Sequence, residues 1–405
     1  MSSTIKRNKY EIDMCNGTIM DKLISFSLPL MLSGILQLMF NAVDIIVIGR
    51  FSGSQSLAAV GSTTALINMF TNLFIGISLG ANVLSARFYA AGKDKEMSET
   101  VHTAITLALI SGIIMVFVGL IFAKPVLELM DTPDDVINLS TLYMRIYFMG
   151  MPFFMLYNYG ASILRAVGDT KRPLFYLIVA GIANAGLNMC LVIIFHLGVA
   201  GVAIGTVISQ LISSILVLRC LYRSETSYQL HFSKLKIQKE YLKQIFQVGI
   251  PAGIQSTVIN FSNVLLQSSV NSFGSIAMAG YTAANNIFGF LYVTVNAVTQ
   301  ACMSFTSQNY GVGKWKRMDR VLIDCLILSF VAMMILGNSA YFFGPKLLTI
   351  YTSNSKVIQC GMEILLYTTV TYFLCGFMDL FPGALRGMGL SLIHISEPTR
   401  LQLIS

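Results

Sequence analysis

Asp44 is a carboxylate in a setting where charge is costly. It closes a stripe of small and polar residues, Gly34, Gln37, Asn41 and Asp44, whose steps of three, four and three share one helix face. Leu36, Leu38, Met39, Ile45, Ile46 and Val47 fill much of the remaining surface. The spacing puts Asn41 about one turn from the acid, within reach of it. An ionisable group among such residues is expensive and marks a functional position by default. Its chemistry is the uptake and release of a proton or a small cation. The structural alternative, a hydrogen bond between helices, is weaker, because such contacts normally use neutral Asn, Gln, Ser or Thr.

Other polar residues sit in apolar runs. Asn184 and Asn188 are four apart, close to Gly181, and Thr206 follows the glycine-rich stretch Gly198–Gly205. With Asp44 they offer the oxygen ligands that suit a proton or a hard cation such as Na⁺. A second stripe, Ser256, Asn260, Asn263 and Gln267, steps by four, three and four and carries no acid. Asp379 and Glu363 lie in the last apolar run, 358–384, and Arg145 in the fourth, 138–163. Asn68 with Asn72 and Asn296 with Gln300 read as contacts between helices. Methionines and phenylalanines are core and lipid-facing filler, with a subset suited to a pliable pocket for aromatic cations.

Enzyme chemistry finds little support. His102, His196 and His231 are far apart and lack metal-ligand spacing. The seven cysteines are scattered without a CxxC pair, and no glycine-rich run fits a phosphate loop. No cofactor is expected.

The elements that position these residues must be membrane helices. Of 405 residues, 55% are hydrophobic and 11% charged, with a mean hydropathy of +0.70. A soluble domain carries about 25% charge. Ten runs are long enough to span a bilayer: 24–49, 57–83, 101–123, 138–163, 174–195, 199–218, 245–272, 277–305, 321–343 and 358–384. The first follows a hydrophilic segment and reads as an uncleaved span. Twenty-one Lys and Arg fall on the N-terminal side of these spans and four on the other, as against the acidic Glu128, Asp131, Asp134 and Asp135. That asymmetry predicts a cytoplasmic N-terminus. It also accounts for the net charge of +8 without a nucleic-acid partner.

The chain repeats itself at about 221 residues. Pro29 falls on Pro251, Asn41 on Asn263, and Pro125 on Pro345. Tyr89–Lys93 falls on Tyr310–Lys314, and Leu164–Gly168 on Leu385–Gly389. The repeats differ in their acids: Leu266 stands opposite Asp44, and Asp379 opposite Asn158. Six spans per repeat predict two lobes related by a pseudo-two-fold axis along the membrane normal. The expected division is a cytoplasmic segment 1–22, an N-lobe 23–218, a linker 219–243, a partial C-lobe 244–389 and a tail 390–405. The tail, Leu390–Arg400 above all, resembles the conceptual translation of a sequencing-library adapter. Residues from Leu390 on, His394 and Glu397 among them, are therefore set aside. Repeat arithmetic then expects two further spans and a native length of roughly 450 residues.

From about Met20 to Gly389 the chain resembles the multidrug and toxic compound extrusion (MATE) family, bacterial type. The resemblance is carried by Pro29–Asp44 with Gly49-Arg50, Leu57–Gly61, Leu164–Thr170, Asn184–Asn188 and Gly198–Gln210. It implies an all-α polytopic membrane protein of two six-helix lobes, the second lacking its last two helices here. It implies alternating access and export of cationic or amphipathic small molecules in exchange for H⁺ or Na⁺. Asp44 takes the coupling role, with Asn184, Asn188 and Thr206 lining the N-lobe cavity and forming a Na⁺ site if Na⁺ is the ion. Gln37, Asn41, Asn158, Asn263, Gln267 and Asp379 complete the expected cavity. Asn188 stands where some relatives carry an acid, and span 7 lacks the glutamate of others. A monomer in the bacterial inner membrane is expected. The alternative transporter, a lipid-linked oligosaccharide flippase, would need a cationic cleft, and Arg145 is the only base within the spans. A polytopic membrane enzyme is the alternative from another class.

Overall fold

Hydrocarbon offers no water to backbone N–H and C=O groups, so an apolar run must satisfy them internally, and a helix does so within one segment. The computed structural model describes residues 8–130, 132–352 and 354–390, the side chains of 54, 65, 261, 264, 267, 268, 271 and 275 excepted. Asp131, the side chain of Gln267 and the tail from 391 on therefore lie outside the described residues. Among the described residues there is no strand.

The helices are α1 (Met20–Phe51), α2 (Gly53–Ala90), α3 (Asp94–Leu129), α4 (Asp134–Met149), α5 (Met151–Ala166), α6 (Lys171–Met189), α7 (Gly198–Tyr222), α8 (Lys239–Asn271), α9 (Ser275–Gly311), α10 (Trp315–Phe342), α11 (Gly344–Thr349) and α12 (Ser355–Gly387). All ten predicted spans are helical. The fourth is built of α4 and α5, broken at Gly150, where Pro152 opens the new helix. The fifth runs from α6 into a π-helical turn, Cys190–Ile194. The long helices overrun the spans because hydropathy reports only their apolar part.

The chain divides into two compact units. Unit 1 holds Leu32–Ile254 and the described residues before Ile12; unit 2 holds Ile12–Met31 and the described residues from Gln255. The boundaries fall inside α1 and α8, just after their internal prolines Pro29 and Pro251. Each repeat's first helix therefore begins in one unit and continues in the other.

Unit 1 has a single large core, with Met97, Met115, Phe148, Tyr159 and Leu164 fully buried. The start of α8 joins it through paired glycines. Gly76 and Gly80 of α2 face Gly249 and Gly253 of α8, and a Cβ on any of the four would land on backbone across the contact. This is the small-xxx-small approach of membrane helices. In unit 2, Met14, Leu23 and Phe26 pack with Phe305, Val321 and Cys325, and Phe26 meets Phe305 edge to face at 5.6 Å. A second cluster joins Phe288, Leu291 and Met333 to Leu365.

The repeat is visible at atomic level. Gly92 and Gly313 both take positive φ, 66° and 69°, in turns closed by Lys93 N–H to Phe88 O (3.0 Å) and Lys314 N–H to Asn309 O (2.9 Å). Gly168 and Gly389 do the same after α5 and α12, closed by Asp169 N–H to Leu164 O (2.9 Å) and Leu390 N–H to Leu385 O (3.0 Å).

Candidate functional site

In unit 1, Asp44 sits half-buried on α1, turned toward α6 and α7. Phe40, one turn before it, packs on Gly181 of α6 so closely that a Cβ there would overlap the ring. This contact lets α1 present its acid to α6. The amide of Asn188 donates to Asp44 Oδ1 and also lies 3.3 Å from Asn184 Oδ1. Asn184 Nδ2 donates in turn to Thr206 Oγ1 at 3.4 Å. Thr206 lies within hydrogen-bond reach of the carboxylate as well, while its proton meets the Val202 carbonyl at 3.0 Å. A single hydroxyl proton thus has two acceptors. Asn184 and Asn188 are both buried. A Cβ on Gly205 of α7 would fall on Asn188 Oδ1, so glycine makes room for that amide. The π-helical turn begins two residues after Asn188, in line with the frequent placement of such turns at functional sites.

The sequence reading brought together four residues that the structure also brings together: Asp44, Asn184, Asn188 and Thr206. It missed two tyrosines. Tyr143 and Tyr147 of α4 lie close enough to feel the Asp44 charge, their rings 6.0 Å apart, and Tyr147 lies near Gln210 of α7. Their spacing of four was the available signal, hidden among apolar neighbours that read as filler. Gln37 and Asn41 stay exposed on the α1 stripe, and neither side chain is hydrogen-bonded among the described residues. The donor that reaches Asp44 comes from α6, across the helix contact, and not from Asn41 along the helix.

The remaining candidates are dispersed. Asn158 of α5 spends its amide on the Phe154 carbonyl of its own helix, at 2.9 Å. Asn263 is exposed on α8. Arg145 and Glu363 are exposed and unpaired among the described residues. In unit 2, Asp379 of α12 has the Tyr292 hydroxyl of α9 within reach, with the Arg386 charge nearby. Arg386 donates to Gln255. Tyr292, Asn296 and Gln300 form one face of α9, and Gln300 Nε2 donates to Asn296 Oδ1 at 2.6 Å.

The histidines, far apart in sequence, are not all far apart in space. His231 N–H donates to His102 Nε2 at 3.0 Å and the rings stack at 6.2 Å. This pins the linker onto α3. No group of three or more metal-ligating His, Cys, Asp or Glu occurs among the described residues.

The MatE family model matches residues 29–190 and 251–395. This chain belongs to the MatE family. The two matched segments open on the paired prolines Pro29 and Pro251. Among curated relatives of this MatE protein, the probable multidrug resistance protein YoeA of Bacillus subtilis strain 168 is 30% identical over 373 residues. That match covers 90% of this chain and 80% of the relative. The multidrug export protein MepA of Staphylococcus aureus is 24% identical over 369 residues, covering 91% and 81%. Among solved structures, an outward-facing multidrug resistance MATE family transporter of the MOP superfamily aligns with a TM-score of 0.89 at 21% identity. It covers 95% of this chain and 86% of that one. A MATE crystallised with MaD3S aligns at 0.88. The all-α, multi-pass membrane fold follows.

Proposed function

We propose that this MatE protein is a secondary antiporter that exports cationic or amphipathic small molecules in exchange for inward H⁺ or Na⁺. The observation that carries the reading is Asp44, an acid on an apolar helix held only by neutral amide and hydroxyl groups of α6 and α7. With no cation beside it, the carboxylate is stabilised by what it loads. Asn188 Oδ1 is buried without a hydrogen-bond partner. With Asp44, Asn184 and Thr206 it makes an all-oxygen donor set that fits Na⁺, and the carboxylate alone fits a proton. Loading removes an unfavourable charge and changes which hydrogen bonds α1 makes with α6 and α7, so it biases the packing of the lobe. The relatives' names, multidrug resistance and multidrug export, support the substrate class.

Gln37 and Asn41 extend the polar face of α1 from this site. In the other repeat, Asp379 with Tyr292 provides a polar surface suited to a substrate cation, and Asn158, Asn263 and Gln267 are the remaining cavity candidates. The protein works in the bacterial inner membrane with its N-terminus cytoplasmic, as a monomer and without a cofactor. The test is efflux of a fluorescent cation from energised vesicles. Asp44→Asn abolishes gradient-driven efflux with membrane insertion intact. Wild-type efflux in that variant makes Asp44 a structural residue and ends the coupling reading.

A further inference from the structure

A second polar site lies in unit 1, away from Asp44. A cavity of about 480 Å³ opens between the first turn of α6 and the last turns of α7. Arg219 and Arg223 are one turn apart on the same face and both are exposed. Neither has an ion-pair or hydrogen-bond partner for its side chain among the described residues. Across the cavity stands Arg172, which is held in place from behind. Asp169, fully buried, takes its Nε; Tyr228 lies 3.4 Å from Nη2; and the Tyr10 ring lies 5.4 Å from the guanidinium carbon. Burial pushes the Asp169 carboxyl up, and the Arg172 charge beside it pulls it down. Arg172 is thus largely neutralised and fixed, while the one acid among the described residues lining the cavity with Arg219 and Arg223 is the exposed Glu225.

The rest of the lining adds donors and an apolar wall. Ser224 and Thr226 line the cavity with their hydroxyls bonded to each other at 2.6 Å, Thr226 the more exposed of the two. Asn8 of the N-terminal segment completes the polar side. That segment is anchored by Glu11, which accepts from the hydroxyls of Tyr228 and Tyr89 at 2.6 and 2.5 Å. Tyr176 and Leu216 lie one turn further along α6 and α7, toward the apolar interior of the spans. Phe175 and Tyr222 are exposed beside it, the placement of aromatic side chains at a membrane surface.

The geometry points to a binding site for an anionic phospholipid. The phosphodiester is held by Arg219 and Arg223 with Ser224 and Thr226, and the acyl chain lies along Tyr176 and Leu216. Guanidinium forks match phosphate oxygens in pairs, and basic pockets between helices at a membrane surface take such headgroups. The shared chemistry is phosphate. A free phosphate would use the arginines and leave the apolar wall without a role, so the lipid is the better occupant. The occupied site bridges Asn8 to the end of α7 and holds the N-terminal segment against unit 1. The inference does not rest on transport.

The test uses the full chain, purified in mild detergent and titrated with phosphatidylglycerol, phosphatidylcholine or inorganic phosphate, with bound lipid read by native mass spectrometry. Phosphatidylglycerol is retained over phosphatidylcholine, and Arg219→Gln with Arg223→Gln lowers that preference about tenfold. Removing two exposed charges of the linker, Lys234→Gln with Lys236→Gln, leaves it unchanged. An equal loss in the lysine pair, or no preference in the wild type, overturns the site. Stabilisation by inorganic phosphate that displaces the lipid without requiring it overturns the lipid as occupant. Should the arginine pair fail to fold, a photoreactive phosphatidylglycerol on the wild type decides. Cross-links in residues 172–176 and 216–226 support the site, and their absence there overturns it.

Discussion

Asp44 and Asp379 are both carboxylates on long apolar helices, and their surroundings differ in one respect. Asp44 is bonded by an asparagine amide and has a threonine hydroxyl in reach, with no counter-charge. Asp379 has a tyrosine hydroxyl within reach and the Arg386 charge nearby, Arg386 itself being tied to Gln255. The repeat mates invert the pattern: Leu266 opposes Asp44, and Asn158, bonded to its own helix, opposes Asp379. In the proposed function, the acid without a fixed counter-ion exchanges a mobile one. The acid with an arginine nearby has a positive charge within the protein to offset it.

The helix contacts differ in the same direct way. Where α8 meets α2, glycines bring backbones together. At the repeat-equivalent contact of α1 with α9, Ser27 replaces Gly249, and a void of about 60 Å³ remains beside Ser27, Leu28 and Val298.

The largest effect expected is on transport. Asp44→Asn brings ion-driven efflux to the background of empty vesicles. Asp379→Asn keeps gradient-dependent efflux and weakens the apparent affinity for a cationic substrate. Equal loss in both variants breaks the comparison.

Next in size is a stability effect. Arg172→Gln leaves Asp169 buried without its charged partner, holding only the backbone N–H of residue 172, and costs about 3 kcal/mol at neutral pH, read from melting in detergent. The sign of its pH dependence follows from burial. With the arginine gone, the folded carboxyl titrates further above its unfolded value of about 3.9. The native state then binds the proton more tightly than the unfolded state, so stability falls as pH rises through that window and returns on acidification. A variant that melts identically at low and neutral pH contradicts this.

The glycine contact gives a smaller contrast. Gly249→Ala sets a Cβ against the backbone of Ile77 and Gly76 and costs about 1–3 kcal/mol. Its mate Ser27→Ala removes a buried hydroxyl that has no partner and changes stability by less than about 0.5 kcal/mol, or raises it. Melting curves that rank the pair the other way refute the packing difference. The smallest effect expected is Asn158→Ala, whose amide serves only the Phe154 carbonyl: efflux stays near wild type, and a large loss would return Asn158 to the cavity.

Much of this was legible in the sequence. Hydropathy located the ten helical runs, eight of them, among the described residues, helices long and apolar enough to cross a membrane, and the polar turns at Gly92 and Gly313 located the repeat, because those positions are fixed by solvent and by positive φ. The Asp44 cluster was legible because acids and paired asparagines are rare in apolar runs. Tyr143 and Tyr147 were not, since aromatic residues in a membrane helix signal nothing by type alone. The turning of Asp44 toward α6 depends on Phe40 seating on Gly181, a contact between residues distant in the chain. The passage of α1 and α8 from one unit to the other was invisible, because both helices are continuous in hydropathy.

That passage sets an order for synthesis. The segment Ile12–Met31 belongs to unit 2, and Asn309, which donates to the Met14 carbonyl, lies 295 residues downstream. At roughly 5–20 residues per second, about 15 to 60 s separate the emergence of the two. During that interval Leu23 and Phe26 are made but lack Phe305 and Val321, the residues that bury them. The start of α8 meets the opposite situation, for Gly76 and Gly80 are already in place when Gly249 and Gly253 arrive. Unit 1 is therefore closed by the last helix it receives, whereas unit 2 must recover a helix the ribosome released long before.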